Sequence, residues 1–354
     1  MALFDGKRIL VTGGTGSLGK TLVKRLLSGT IGEPERITVF SRDEAKQYQM
    51  RLDFEHRGSS TDEIVYQNFR RRLQFRIGDV RDFNAVASAL QGIDIVVNAA
   101  ALKQVPTCEY FPFEAVQTNI GGPNNVISAI SRNRLPVQAL VGVSTDKAVM
   151  PINAMGMTKA LQERLLISAQ IMLPDTKIVI ARYGNVMASR GSVIPLFHHQ
   201  ILKGGPVTIT DNRMTRFLFT LSAAVDTILA AIEGGRGGEI YVPMIPSARI
   251  TDLARALIGE RNIAVEVTGI RPGEKIHEIL IAADESLRVE KRGAYYCIAP
   301  MLPEIGAAPV APNAPLWEYS SGAAPIGYEE VYELLENRGL LDLSSTARGE
   351  EILR

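Results

Sequence analysis

Short apolar runs alternate with helix-length stretches through the first half of the chain. Six runs predict strands, at residues 8–12, 36–40, 73–77, 93–98, 139–144 and 177–182. The other stretches predict helices at 18–28, 83–91, 112–132, 153–169, 222–233 and 249–258, the last with Thr251 as its N-cap. Strands that are apolar throughout, each followed by a helix, indicate a parallel sheet with helices on both faces. We therefore predict an α/β fold with a Rossmann-type, doubly wound parallel sheet.

A glycine-rich turn follows the first predicted strand and opens the first predicted helix. Gly13, Gly16 and Gly19 give the spacing G-x-x-G-x-x-G, a variant of the dinucleotide-binding fingerprint. Glycine has no Cβ, so the backbone can approach a pyrophosphate at the N-terminus of the helix. The motif predicts a dinucleotide cofactor bound by Gly13, Thr15, Gly16, Ser17, Leu18 and Gly19.

The end of the second predicted strand bears on the choice of dinucleotide. Ser41 and Arg42 stand where an NAD enzyme usually places a carboxylate against the ribose hydroxyls. A guanidinium can bind a 2′-phosphate with two parallel, charge-assisted hydrogen bonds. Asp43 could still reach a ribose hydroxyl, so NAD stays an alternative, but the pattern favours NADP.

The character of the sequence changes after Arg182. Residues 183–215 are rich in Gly, Pro, Ser and Arg, and the remainder mixes short strands and helices. We assign residues 1–182, completed by about 216–240, to an NADP-binding Rossmann domain. Residues 183–215 and 241–354 are assigned to a smaller α/β substrate-binding part with a C-terminal extension. The Pro/Ala stretch at 307–315 predicts a surface loop before a last helix near 328–337.

Composition and charge exclude several classes of protein. The chain has 354 residues, 46% hydrophobic and 22% charged, which suits an ordinary globular protein of about two domains. A net charge of +1 gives no long-range field, so neither nucleic acid nor a membrane surface is an expected partner. Cys108 and Cys297, the two cysteines, and the lack of an apolar stretch of ~18 residues lead us to expect a cytoplasmic location. The four histidines have no ligand spacing, so no metal is expected.

Two further blocks make the sequence resemble the extended short-chain dehydrogenase/reductase superfamily. Gly78-Asp-Val-Arg-Asp82 follows the third predicted strand, and Asn98-Ala-Ala-Ala101 follows the fourth. The resemblance implies that Asp79 and Val80 lie against the adenine. It also implies that Asn98, Ala99, Ala100 and Ala101 form the floor of the cofactor site.

More specific blocks at residues 101–106, 144–148, 182–195, 214–217 and 271–275 resemble the UDP-N-acetylglucosamine 4,6-dehydratases of flagellin and capsule glycan synthesis. The resemblance covers roughly residues 7–280. It implies a UDP-sugar substrate, NADP as cofactor, a 4-keto-6-deoxy product and a homo-oligomer formed through a helix bundle. The substrate-contacting residues that we expect are Lys103, Asn185, Arg190, Arg216, Arg271 and Glu274.

One catalytic position departs from the superfamily. The usual pair is Tyr-x-x-x-Lys, in which the ammonium lowers the pKa of the phenol one helical turn away. Here Lys159 is present, but Met155 takes the tyrosine position, and a thioether cannot accept a proton. The capsule-type, 5-inverting members resemble this chain in carrying the same Asn-Ala-Met-Gly segment. From the residues alone, the C4 hydroxyl proton must leave through Thr145, Lys159, a water or Lys103.

By the same resemblance Lys147 is the base that removes the C5 proton and Asp146 the acid at the C6 oxygen. A lysine with a pKa of ~10.4 is a poor base at neutral pH. We therefore expect Lys147 to be desolvated or close to another cation such as Lys159 or Lys103. The dense basic run Arg70-Arg-Arg72 lies outside every block and is expected in a solvated turn.

Three other functions remain open from the sequence. A 4-epimerase or a retaining dehydratase could use the same scaffold. The missing tyrosine also leaves room for a nonenzymatic NADP-sensing protein. Asp146 and Lys147 argue against a simple epimerase, which needs no C5 base, and the expected substrate arginines argue against a sensor.

Overall fold

The computed structural model describes residues 3–55, 63–187, 192–270, 273–306 and 315–343. The strands are β1 (Arg8–Thr12), β2 (Arg36–Ser41), β3 (Leu73–Ile77), β4 (Ile95–Asn98), β5 (Ala139–Thr145), β6 (Lys177–Tyr183), β7 (Val207–Ile209), β8 (Thr215–Phe217), β9 (Ile240–Pro243), β10 (Ser247–Arg249), β11 (Val265–Val267), β12 (Ile279–Ile281), β13 (Val289–Arg292), β14 (Tyr295–Ile298), β15 (Tyr319–Ser320) and β16 (Pro325–Ile326). The α-helices are α1 (Ser17–Leu27), α2 (Glu44–Glu55), α3 (Glu63–Arg72), α4 (Phe83–Ala89), α5 (Val105–Tyr110), α6 (Pro112–Val116), α7 (Gly122–Arg132), α8 (Ala154–Met172), α9 (Val193–Leu202), α10 (Leu221–Gly234), α11 (Ile250–Ile258) and α12 (Tyr328–Glu336).

The main sheet has nine strands, seven of them parallel. Their spatial order is β3-β2-β1-β4-β5-β6-β9, and β14 and β13 extend the β9 edge in antiparallel pairing. The order 3-2-1-4-5-6 is that of the Rossmann fold, in which a crevice opens at the carboxyl ends of the strands where the chain order reverses. Here the reversal falls between β1 and β4. The predicted α/β class and doubly wound sheet are confirmed.

Apolar layers cover both faces of this sheet. Along β1, Leu10 faces one layer while Ile9 and Val11 face the other, and none of the three is more than 1% exposed. The first layer joins the sheet to α4, α7 and α8, and the second joins it to α1 and α10. Burying an aliphatic side chain of this size stabilises the fold by about 1.5–3 kcal/mol. Because both faces are covered, the central strands read as continuous apolar runs.

The helix predicted at 112–132 contains a π-helical turn at Gln117–Gly121, between α6 and α7. Pro123 follows this turn and has no backbone N–H for the helical ladder. Within the turn, the side chain of Asn119 accepts a bond from the backbone N–H of Leu102 (2.8 Å) and donates to the Leu102 carbonyl (3.0 Å) and to Thr158 Oγ1 (2.9 Å). The turn therefore fixes the loop after β4 against α8, beside the crevice.

Smaller sheets lie over the carboxyl end of the main sheet. They have the orders β16-β10-β8, β11-β7 and β12-β15. The first two pack with α9, α11 and α12 around their own apolar cluster, whereas Leu280 and Ile281 of β12 join the first apolar layer of the main sheet. The division into two parts drawn from the sequence stays a prediction. The strands β13 and β14, both within 241–354, nevertheless belong to the main sheet.

Several local predictions are wrong. The hydrophobic pattern did not predict α2, α3, α5 or α9. Arg70-Arg-Arg72 ends α3 instead of forming a solvated turn, and Arg72 lies 2.8 Å from a Glu33 carboxylate oxygen. Thr251 lies inside α11, whose N-cap residue is Arg249. The loop predicted at 307–315 falls outside the described residues, except for its last position. No described helix combines the length and apolarity needed to cross a bilayer.

Candidate active site

A cavity of about 860 Å³ lies where the carboxyl ends of the parallel strands meet the smaller sheets. It brings together most of the residues that the sequence singled out: Gly13, Gly16, Ser17, Leu18, Gly19, Ala99, Ala100, Ala101, Lys103, Thr145, Lys147, Met155, Lys159, Asn185, Arg216 and Glu274. Others are not part of the lining: Thr15, Asp146, Ser41, Arg42, Asp79, Val80 and Asn98. Arg190 and Arg271 lie outside the described residues.

The glycine-rich turn leaves no space for a side chain at Gly13 or Gly19. Gly13 has φ +65°, and a Cβ on it would lie 2.8 Å from backbone atoms of Ala100. A Cβ on Gly19 would lie 2.4 Å from Gly14. The helix α1 begins at Ser17. The first backbone N–H groups of a helix have no partner within it, and no side chain caps them here. Bare backbone and a helix N-terminus at the cavity wall fit the pyrophosphate of a dinucleotide.

The end of β2 carries the residues expected at the adenosine. The side chain of Arg42 is 57% exposed, and its Nη1 lies 3.9 Å from an oxygen of Asp79. Asp43 pairs with Lys46 (2.8 Å), which lowers the pKa of the Asp43 carboxyl. Lys46 also lines the cavity and was missed by the sequence analysis, because the helix α2 that carries it was not predicted. Two cations therefore stand near this end of the crevice.

Thr145, Asp146 and Lys147 form a hydrogen-bonded cluster at the end of β5. Oδ1 of Asp146 accepts bonds from Thr145 Oγ1 (2.8 Å) and Lys147 Nζ (3.2 Å). Asp146 is fully buried behind these two residues, and its Oδ2 has no hydrogen-bond partner among the described residues. Burial raises the pKa of the Asp146 carboxyl, against the attraction of the Lys147 ammonium. The raised pKa makes this carboxyl a better proton donor than a solvated aspartate.

A second buried carboxylate meets Lys147 from the smaller sheets. Glu278, directly before β12, places its Oε1 3.4 Å from Lys147 Nζ and 3.8 Å from Arg216 Nε. The ammonium also donates to Oδ1 of Asn185 (2.8 Å). Partial burial disfavours the ammonium, but attraction to Asp146 and Glu278 outweighs it and raises the pKa of Lys147. Lys147 is thus desolvated, as one of the two expected alternatives required, and Arg216 is a nearby cation that acts to lower its pKa. The expected net lowering of the Lys147 pKa is wrong, because the two carboxylates outweigh both effects.

Lys159 lies deeper, on α8. Its Nζ donates to the carbonyl of Val143 (2.6 Å) and to the side chain of Gln162. Burial lowers the pKa of Lys159 to about 8. Met155, one turn earlier, lines the cavity while its side chain packs in an apolar cluster with Cys108. In place of the usual Tyr-Lys pair the site thus has the buried thioether of Met155 and the amine of Lys159, whose pKa is about 8.

The remaining polar residues surround the outer half of the cavity. Arg216 is held by hydrogen bonds from its Nη1 to the carbonyls of Thr215 and Ile276. Lys275 donates to the carbonyl of Val149 (2.6 Å). Lys103 lines the cavity, and partial desolvation lowers its pKa. Cations and amides on this side can receive an anionic, hydroxyl-rich ligand.

Known proteins are similar to this chain in sequence and in fold. The model of the family described as "Polysaccharide biosynthesis protein" matches residues 9–300. A Rickettsia typhi protein named UDP-glucose 4-epimerase is 46% identical over 302 residues, 84% of each chain. The solved structure of Pen from Bacillus thuringiensis is 36% identical, with a TM-score of 0.82, and covers 95% of this chain and 99% of its own.

A more distant structure bears on the fold alone. The dTDP-glucose 4,6-dehydratase DesIV from Streptomyces venezuelae has a TM-score of 0.62 at 21% identity, over 76% of this chain and 86% of its own. The family match spans most of the chain, and the Rossmann-type sheet and glycine-rich turn agree with the resemblance found in the sequence. The chain belongs to the polysaccharide biosynthesis protein family and is an extended short-chain dehydrogenase/reductase.

Proposed function

We propose that this chain is an NADP-dependent sugar-nucleotide 4,6-dehydratase. The substrate that we infer is UDP-N-acetylglucosamine and the product UDP-4-keto-6-deoxy-N-acetylhexosamine, for surface polysaccharide synthesis. One observation carries the proposal: Lys147 projects into the cavity while hydrogen-bonded to the buried Asp146 carboxyl. A proton acceptor and a proton donor side by side are what elimination of water across C5 and C6 requires.

NADP, which the glycine-rich turn from Gly13 to Gly19 would hold at the cavity wall, would supply an acceptor for the C4 hydride and its return to C6. Lys159 accepts the proton of the C4 hydroxyl, since its pKa is about 8 and Met155 cannot take a proton. Lys147 as the free amine then removes the C5 proton, which the C4 ketone has made acidic. Asp146 supplies the proton for the departing C6 oxygen by way of Thr145, which lines the cavity. The Thr145 hydroxyl gives its proton to that oxygen and takes the one from the Asp146 carboxyl, which reverses the bond that it donates in the structure.

The substrate's diphosphate needs cations, and its sugar hydroxyls need polar partners. We assign the diphosphate to Arg190, Arg216 and Arg271, and sugar contacts to Lys103, Asn185 and Glu274. Arg216, Lys103, Asn185 and Glu274 line the cavity in support of this assignment. Guanidinium groups suit phosphate because they form parallel, charge-assisted hydrogen bonds.

A 4-epimerase is the second candidate, because the Rickettsia relatives carry that name. An epimerase oxidises C4 and returns the hydride to the same carbon, so it does not use an acid and a base at C5 and C6. The buried Asp146–Lys147 pair, with Glu278 beside it, favours the dehydratase. A retaining dehydratase would use the same pair and differ only in the face of C5 that is reprotonated.

The two candidates are separated by incubating the purified chain with UDP-N-acetylglucosamine in deuterated water. Mass spectrometry of a dehydratase product shows loss of one water, and proton NMR shows deuterium at C5 and a 6-methyl signal. An epimerase gives a product of unchanged mass with no deuterium at C5. A steady build-up of free NADPH would indicate a simple dehydrogenase, and cofactor binding without conversion would favour the sensor.

Replacing Arg42 with alanine should weaken NADP binding much more than NAD binding. One charge-assisted phosphate contact contributes about 1.5–3 kcal/mol, or roughly 10- to 150-fold in Kd. Titration of both dinucleotides by calorimetry measures the difference. Arg236→Ala, which removes a 73% exposed arginine at the opposite sheet edge, is the matched control and should change neither affinity. Equal losses for NADP and NAD in Arg42→Ala would contradict the assignment.

The C4 oxidation step should accelerate as pH rises through about 8 and level off above that pH, because only the neutral Lys159 amine accepts a proton. Single-turnover absorbance at the nicotinamide band reports this step alone. Lys159→Arg should remove the rise and most of the rate, since a guanidinium stays protonated. Lys177→Arg, at another partly buried lysine, is the control and should keep the wild-type profile. A wild-type rate that does not change through pH 8 would assign the proton to another group.

We also propose that the chain forms a homo-oligomer. Tyr110, Phe111 and Phe113, around α5 and α6, and Met157 and Leu161 on α8 are between 55% and 83% exposed. Apolar side chains of this size gathered on neighbouring helices are typical of a surface that a second copy covers. Light scattering of the purified chain measures the assembly.

A further inference from the structure

Glu278 is a buried carboxylate in the cavity wall that no sequence motif indicated. Its side chain is 4% exposed, and its backbone is fixed on both sides by Ser321. The Glu278 N–H donates to Ser321 Oγ (2.9 Å), and the Ser321 N–H donates to the Glu278 carbonyl (2.8 Å). Ser321 is itself fully buried and bonded to Thr215 Oγ1 (2.7 Å). The position of Glu278 is therefore set by the smaller sheets.

The charges around Lys147 come from three parts of the fold. Asp146 adjoins it in the chain, Glu278 comes from the segment before β12, and Arg216 lies on β8 beside Glu278. Lys275 adds a weaker positive charge from the segment that carries Glu278. Oε1 of Glu278 faces the Lys147 ammonium, while Oε2 has no hydrogen-bond partner among the described residues. Two carboxylates thus hold one ammonium, and only Glu278 of the two lines the cavity.

We propose that Glu278 is the positioning residue for Lys147: its carboxylate holds the lysine Nζ against Asn185 at the point where C5 of the sugar is deprotonated. The inference rests on the proposed dehydratase reaction. In that step the C5–H bond breaks, a new N–H bond forms on the Lys147 amine, and the electron pair passes into conjugation with the C4 carbonyl. The ammonium that results lies against the Glu278 carboxylate, which stabilises it. Glu278 thereby fixes the position of the amine and makes the free amine a stronger base, while it lowers the fraction of Lys147 that is unprotonated at neutral pH.

Glu278→Gln keeps the shape of the side chain and removes its charge. An opposite charge within hydrogen-bonding distance moves a pKa by about 1–3 units, so the pKa of Lys147 should fall by about that amount. In the wild type the rate of deuterium exchange at C5 should still be rising at pH ~10, because the pKa of Lys147 is raised above its ordinary value. In Glu278→Gln the rate should level off at least one pH unit lower. Its plateau should lie below the wild-type rate at high pH, by up to about tenfold for each unit that the pKa of Lys147 falls, because the base is weaker.

Two variants separate positioning from a merely structural role. Glu278→Asp keeps the charge but shortens the side chain, so the rise with pH should stay close to that of the wild type while the rate falls. Glu239→Gln removes another buried carboxylate, paired with Arg292 (2.6 Å) at the far edge of the sheet. It should lower stability and leave the pH profile unchanged. If Glu278→Gln does not fold, Glu278→Asp still tests the proposal. If the rise of its C5 exchange rate with pH were displaced to lower pH although the charge is kept, the proposal would be overturned.

A direct titration makes the test independent of the substrate. NMR of lysine 13Cε signals, with that of Lys147 assigned by its loss in Lys147→Met, gives the pKa of Lys147 in the wild type and in Glu278→Gln. A lower pKa in the variant supports the link even if the wild type converts no UDP-N-acetylglucosamine, in which case only the proposed function fails. An unchanged pKa, or loss of all C5 exchange in Glu278→Gln while Lys147→Ala retains it, overturns the proposal.

Discussion

Lys147→Ala should lower the rate of water loss from the sugar nucleotide by about 10²- to 10⁴-fold, the usual contribution of one general base. Alanine removes the only amine that contacts both Asp146 and Glu278 in the described structure, so nothing at that place can take the C5 proton. Deuterium incorporation at C5 should stop as well. Slow oxidation of C4 should continue, because Lys159 and the glycine-rich turn are untouched.

Asp146→Asn should have a comparable effect on water loss for a different reason. An amide is a very poor proton donor, so the C6 oxygen would have to depart as hydroxide. C4 oxidation should persist here too. Exchange at C5 should also persist, because Lys147 keeps its contacts with Asn185 and Glu278. The two variants therefore divide the reaction into its oxidation, deprotonation and elimination steps.

The controls follow from the structure. Lys177→Ala removes a partly buried lysine on β6 whose Nζ donates to the carbonyl of Ile232, and it should not affect dehydration. NADP affinity and thermal unfolding of each variant show whether the fold is retained. Full dehydratase activity in both Lys147→Ala and Asp146→Asn would mean that the chemistry lies elsewhere in the cavity.

The sequence predicted those parts of the fold whose burial is uniform. The strands β1, β2, β4, β5 and β6 were recognisable because helices cover both faces of the sheet, which makes each strand a largely apolar run. The edge strand β3 is the exception, since none of its residues is buried. The helix α2 was not predicted because only three of its residues are buried, Gln47, Met50 and Phe54, and it carries no clear apolar stripe. The helix α9 was not predicted for the opposite reason. It is mostly apolar and follows a Gly-rich stretch, so its sequence shows no helical periodicity.

The residues of the candidate site divide in the same way, into those that a local sequence pattern predicts and those that only tertiary packing brings together. Asp146 and Lys147 could be predicted because they are adjacent in the chain at a strand end. The partner that governs Lys147, Glu278, lies far along the chain and reaches it only through the packing of β12 and β15. The predicted neighbours, Lys159 and Lys103, followed from the need for a base of low pKa. The fold surrounds Lys147 with carboxylates instead, and only three-dimensional packing could reveal that.

The buried guanidinium of Arg182 links the elements that carry the site. Its side chain is 2% exposed and pairs with Glu163 of α8 (2.9 and 2.7 Å) and with Glu285 after β12 (2.7 and 2.8 Å). A further bond goes to the carbonyl of Leu280 (3.0 Å). Arg182 thus connects β6 both to the helix that bears Lys159 and to the strand that follows Glu278. Its guanidinium also lowers the pKa of Glu285, whose burial alone would raise it.

Arg182→Met should lower the free energy of unfolding by about 3–5 kcal/mol at neutral pH, because Glu163 and Glu285 would stay buried without a counter-ion. Since the folded-state pKa of Glu285 is lowered, the stability it contributes is present above its unfolded pKa and is lost as pH falls through its folded-state pKa. The difference in the free energy of unfolding between wild type and Arg182→Met should therefore become smaller at acidic pH. Arg236→Met, at a 73% exposed side chain 3.7 Å from Glu290, should cost less than about 1 kcal/mol. Urea titrations at neutral and acidic pH measure both variants, and equal losses for the two at neutral pH would contradict the structural role given to Arg182.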